Sequence, residues 1–103
     1  MDKIRRNRRP SAPGAILRGL FLEDRKISVT ALAEAIGYSR KHVSQIVNGK
    51  ARIEPEMAAR LGKVLGTSTD IWLDLQAAVD AWDATQEARD WRPVRLLGVK
   101  LSA

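Results

Sequence analysis

The sequence predicts an all-α domain of five helices built around a helix-turn-helix. Apolar residues recur at helical spacing in five separate segments. Proline and glycine stand at the starts and ends of those segments, where helix geometry accepts them. Residues 28–50, reading SVTALAEAIGYSRKHVSQIVNGK, form two short amphipathic stretches joined by a glycine-led turn. On this reading residues 1–12 are a flexible basic arm, 13–87 the helical domain and 88–103 a C-terminal tail of open structure.

Taken in order, residues 1–12 lack apolar periodicity and reach the domain through Pro10 and Ser11. Pro13 suits a first helical turn, and Ile16, Leu17, Leu20 and Phe21 make a stripe that carries a first helix to about Leu22. The next helices span roughly 29–36, on Leu32, Ala33 and Ile36, and 40–47, on Val43, Ile46 and Val47. Between them Gly37 can adopt the left-handed conformation that ends a helix, and Ser39 stands where it can cap the next. Pro55 opens a fourth helix on Met57, Ala58, Leu61, Val64 and Leu65, ended by Gly66. Ser68 caps a fifth, which carries Ile71, Trp72, Leu75, Val79 and Trp82. The 72–75–79–82 spacing is a short heptad-like seam, a candidate dimer or partner surface. Pro93 stops any continuation, and residues 94–101 leave strand, docked segment and coil open.

At 103 residues and 45% hydrophobic composition, the chain is one domain with enough apolar material for a core. It has no cysteine, so thiolate metal sites and disulfides are excluded. No apolar run approaches the ~20 residues of a membrane span, and no apolar segment follows the basic N-terminus as a secretory signal requires. A soluble cytoplasmic protein is the expectation. The net charge of +6 is unevenly placed. Lys3, Arg5, Arg6, Arg8 and Arg9 against Asp2 load the arm, and Arg89, Arg92, Arg95 and Lys100 against Asp90 load the tail. The body between them is nearly neutral, so its cations matter by where they cluster.

They cluster on the third helix. Its solvent side carries Arg40, Lys41, His42, Ser44, Gln45 and Asn48, the inventory that reads base edges and grips phosphates. The second helix of such a motif enters the major groove with its N-terminal residues nearest the bases. Arg40 and Lys41 can pair with guanine and Gln45 with adenine, with Ser44 beside them as a further base-reading candidate; one of the two cations could instead touch only phosphate. Thr30, Ser39, Asn48, Lys50 and Arg52 are placed to hold the backbone, with capping as the competing role of Ser39 and helix termination that of Asn48. The arm's arginines could enter a minor groove or simply raise nonspecific affinity. His42 has no second ligand or nucleophile at suitable spacing, so neither a metal site nor catalysis is expected, and no cofactor is implied. Asp74, Asp80, Asp83 and Glu87 form either a solvated acidic face or a surface for a basic partner. Trp91, if exposed, would mark a partner surface.

With these residues in view, the run resembles the HigA group of Xre-type helix-turn-helix antitoxins and the related virulence-associated regulators. The resemblance lies in Pro13-Gly14-x-Ile16-Leu17, Phe21-Leu22, Leu32-Ala33-x-x-Ile36-Gly37 and Val43-Ser44-x-Ile46-Val47-Asn48-Gly49-Lys50. It continues through Glu56-Met57-Ala58-x-Arg60-Leu61, Leu65-Gly66-Thr67-Ser68 and Trp72-Leu73-x-Leu75-Gln76, covering about residues 13–82. Three positions depart: Ala15 replaces an acidic residue, Glu54 a Ser or Thr cap, and Val79 an aromatic. The resemblance implies a lambda-repressor-like fold, a homodimer, repression of its own operon and neutralisation of a co-encoded RelE/HigB-like ribonuclease toxin. A two-fold dimer would call for double-stranded operator DNA with an inverted repeat, half-sites ~34 Å or a multiple apart. Competing readings are a stand-alone or phage-type regulator without a toxin, a small ribonuclease, and an interaction module with a degenerate motif. The lack of an acid–base constellation weighs against the ribonuclease, and the retained polar face of the third helix against the degenerate module.

Overall fold

The computed structural model describes residues 8–98; within that span it is all-helical, with no strand. The arm's residues 1–7 and the tail's residues 99–103 lie outside the described span. Helix α1 (Pro13–Ile16) runs without a break into a π-helical segment (Leu17–Glu23). Helices α2 (Val29–Ile36), α3 (Arg40–Val47), α4 (Pro55–Leu65) and α5 (Thr69–Glu87) follow. The local chemistry explains the bounds. The hydroxyls of Ser28, Ser39 and Ser68 accept from the amides of Ala31, His42 and Ile71 at 3.0–3.1 Å, each satisfying an amide that a helix start leaves free. Glu54 precedes α4 without capping it, and Pro55 sets the first turn instead.

The first helix departs from α-helical expectation. Its π segment closes turns with i→i+5 bonds, which bring residues five apart onto one face. Leu17 and Leu22 are accordingly both buried, whereas Leu20, placed inside by α-helical spacing, is 63% exposed. The segment ends with the Lys26 amide on the Glu23 carbonyl and the Ile27 amide on the Leu22 carbonyl, at 3.3 and 2.8 Å. That pairing is a Schellman closure, and Lys26 takes the left-handed φ of 57° that glycine usually supplies. Val64 and Ile71, expected on the apolar stripes of α4 and α5, are also exposed.

The core draws on every helix: Leu17, Leu22, Leu32, Ile36, Val43, Ile46, Ile53, Met57, Leu61, Leu65 and Trp72 are buried together. α2 packs on α3 and α4, α1 on α3 and α5, and α4 on α5. Trp72 leans on Phe21 with ring centroids 5.3 Å apart, and its indole N–H donates to the Thr67 hydroxyl at 2.7 Å. Buried Gln76 accepts from the Ile53 amide at 2.9 Å and so fixes the loop between α3 and α4. Trp72 and Val79 thus face the chain's own core, at 1% and 3% exposure. The outward part of the expected seam is Leu75 and Trp82, both half-buried.

Three arginines stitch helix ends to other helices. Arg18 donates to the Val47 carbonyl at the end of α3, Arg60 to the Ile36 carbonyl at the end of α2, and Arg25 to the Leu65 carbonyl at the end of α4. Each cation meets free carbonyls at the negative end of a helix dipole. Arg25 and Arg60 also lie 4.9 Å over the rings of Phe21 and Tyr38.

Candidate nucleic-acid interface

The turn between α2 and α3 determines how the third helix is presented. Gly37 takes φ 77°, its amide and that of Tyr38 both close on the Ala33 carbonyl, and Ser39 caps the next helix at once. Val43, Ile46 and Val47 then pin α3 to the core, so its remaining faces point outward. α1 sits directly behind: a Cβ on Gly14 would overlap the Ile46 carbonyl oxygen. The recognition-type helix is therefore held by a backbone-to-backbone approach as well as by side chains.

Val29, Arg40, Lys41, Ser44, Gln45, Asn48 and Lys50 line one open depression. The four base-reading candidates, Arg40, Lys41, Ser44 and Gln45, thus share a single surface, joined by Asn48 and Lys50. Arg40 and Lys41 are exposed and engage no hydrogen bond or ion pair among the described residues, so their charges are free for a ligand. Thr30 is exposed in the first turn of α2, but Ser28 is the residue that caps that helix. Ser39 spends its hydroxyl as a cap, leaving backbone amides as its means of holding a phosphate.

Asn48 and Arg52 are more committed than their spacing suggests. The Asn48 amide nitrogen donates to the Ser44 carbonyl at 2.9 Å, and its oxygen accepts from Arg18 at 2.8 Å. Arg52 grips Asp80 in a bidentate pair at 2.6 and 3.0 Å, with Glu54 at 3.1 Å from its Nε. Its charge is balanced by two carboxylates. Arg9 makes the same kind of pair with Asp83, 2.8 Å on both sides, tying the described root of the arm to α5. Hydrogen bonding from Arg52, supported by Gln76, lowers the Asp80 pKa, and hydrogen bonding from Arg9 lowers that of Asp83. Two members of the expected acidic face are therefore occupied from within the chain.

His42 is half-buried and stacks on Tyr38 at 5.3 Å between centroids, on the flank of α3 away from the open depression. Among the described residues no group of three His, Asp or Glu is arranged to hold a metal ion. No described helix is long and apolar enough to cross a membrane. Beyond α5 the chain turns at Ala88 and continues without strand or docking as far as Gly98, leaving Trp91 66% exposed. Spacing could not have revealed Arg18 as a neighbour of this surface, because it arrives from a different helix.

Comparison with known proteins agrees with this geometry. A helix-turn-helix family profile matches residues 20–72. The HTH-type transcriptional regulator YbaQ of Escherichia coli K12 is 42% identical over 82 residues, covering 80% of this chain and 73% of that protein. Antitoxin HigA-1 of Vibrio cholerae is 40% identical over 91 residues, covering 84% and 86%. The solved structure of antitoxin GraA in complex with its operator superposes with a TM-score of 0.79 at 34% identity, covering 91% of this chain and 98% of that one. Matches of this length and identity, on a chain whose helix-turn-helix is intact, show that it belongs to the Xre-type helix-turn-helix family, among the HigA-type antitoxins and related regulators.

Proposed function

We propose that this protein is a sequence-specific operator-binding repressor and the antitoxin of a type II toxin–antitoxin pair, acting as a cytoplasmic homodimer that represses its own operon and neutralises a RelE/HigB-like ribonuclease. The observation that carries the DNA half is the α3 surface, where Arg40 and Lys41, without partners among the described residues, stand beside Ser44, Gln45 and Lys50. Unneutralised cations beside amide and hydroxyl donors suit the edges and phosphate walls of a major groove. Supporting the reading, GraA was solved with its operator and HigA-1 is named an antitoxin. Lys50 and the first-turn amides of α2 and α3 would hold the phosphates.

Repression alone, without a toxin, is the second reading. What favours it is the occupation of Asp80 and Asp83 by Arg52 and Arg9, which leaves less acidic surface on α5 for a basic ribonuclease. One experiment separates the two. The protein is co-expressed with the product of the small reading frame beside its gene, with a promoter reporter in the same cells. We expect co-elution, rescue of growth and reporter repression, with Arg40→Ala losing repression while keeping rescue. A neighbouring product that neither binds nor harms growth leaves the repressor without the antitoxin. An Arg40→Ala protein that represses fully would refute the assignment of α3.

A further inference from the structure

We infer that Arg18, on the π-helical segment before the helix-turn-helix, is a phosphate-gripping residue of the DNA face. The inference rests on the DNA-binding reading above and adds to its contact set a residue from a different helix. Arg18 is exposed, yet its guanidinium is fixed: Nη2 donates to the Val47 carbonyl at 3.3 Å and to Asn48 Oδ1 at 2.8 Å. A long side chain anchored in this way has already lost much of the rotamer freedom that binding would otherwise cost. Of the donors an arginine carries, those on Nε and Nη1 have no partner among the described residues and are left for an anion.

The guanidinium also lies in the right place. Arg18 lines an open depression with Leu22, Glu23, Val29, Ser44 and Asn48, and the last three line the base-reading depression as well. The cation therefore sits on the flank of the recognition-type helix, where a helix seated in the major groove meets the wall of phosphates. Its charge is not spent. Glu23 borders the same depression without pairing with Arg18, whereas Arg52 is held by both Asp80 and Glu54. Of the two, Arg18 is the cation available to DNA. Asn48 then acts by holding Arg18 and Ser44 in place, its own amide nitrogen being committed to the Ser44 carbonyl.

The test is a salt titration of binding to a random-sequence duplex two helical turns long, read by fluorescence anisotropy. Each phosphate contact contributes about −0.9 to the slope of log K against log salt. Arg18→Gln, which keeps a donor for the Val47 carbonyl, is expected to flatten the slope by about that amount and to weaken binding about five- to tenfold at 0.1 M salt. Arg18→Lys, which keeps the charge, should hold the parental slope, and so should Arg52→Gln. Circular dichroism of each variant checks that the helices are intact. A folded Arg18→Gln protein with the parental slope overturns the assignment. So does an Arg18→Lys slope as flat as that of the Gln variant, because the loss would then come from the cap and not the charge. A parent protein with no salt-dependent affinity removes the DNA-binding reading itself, a result distinct from either.

Discussion

Single side chains in this domain are divided among tasks that residue type alone does not announce, and arginine shows this best. Arg18, Arg25 and Arg60 close the carbonyl ends of α3, α4 and α2; Arg9 and Arg52 are neutralised by Asp83 and Asp80; Arg40, on the open surface of α3, has no partner among the described residues. The partners lie 24 to 74 positions away in sequence, which is why a charge pattern cannot sort them. Lys26 shows a different cost at the same scale. Its φ of 57° places a Cβ against the following carbonyl, a penalty of about 1–2 kcal/mol that glycine avoids. Part of that gain is offset by the greater freedom of glycine in the unfolded chain. Lys26→Gly is therefore expected to stabilise the domain by about 0.5–1 kcal/mol, raising Tm by a few degrees in a domain of this size. A melting temperature equal to or below that of the parent would show that the lysine carries a contact outweighing its backbone.

Among the elements, α1 acts as a brace for α3. Gly14 lies so close to the Ile46 carbonyl that any side chain must drive the two helices apart. Overpacking of that kind costs typically about 1–3 kcal/mol, and here the displaced backbone belongs to α3, the helix proposed to meet DNA. Gly14→Ala should lower thermal stability by that order and weaken operator binding beyond what the folded fraction explains, measured by calorimetry beside a binding titration. Equal losses in both would confine the effect to stability. Helices α2 to α5 were legible from the chain because their apolar spacing agrees with the end signals around them: serine caps before α2, α3 and α5, Pro55 at the start of α4, and glycine caps after α2 and α4. The first helix was only half legible. Periodicity located it, but α-helical spacing put Leu20 inside, and the π turn gave that place to Leu22. Arg40, Lys41, Ser44 and Gln45 could be read as one surface because one helix carries them, whereas Arg18 and the engagement of Arg52 depend on packing between helices.

At the scale of the molecule, α5 is fastened to the rest by carboxylates on one side and by its apolar face on the other. Asp83 holds the root of the arm through Arg9, and Asp80 holds the loop between α3 and α4 through Arg52, while Gln76 links Asp80 to the Ile53 amide. Both carboxylates titrate below their ordinary value of 3.8, each chiefly through the hydrogen bond from its arginine. A carboxyl whose pKa is depressed by folding binds fewer protons in the folded state than in the unfolded one. Its contribution to stability is complete above the ordinary value and is lost as pH falls through the depressed one. Both pairs lie at the surface, where solvent screening keeps such contributions small. The expected signature is therefore a difference between proteins and not a collapse. In melts between about pH 7 and pH 2, the Asp80→Asn/Asp83→Asn double variant should start below the parent, lose less Tm on acidification, and meet it at the acid end. Curves that stay parallel down to the lowest pH would mean that the two pairs do not bind more tightly in the folded protein. In that case Arg9 and the loop after α3 would be positioned by packing, with Gln76 as the polar link between α5 and that loop.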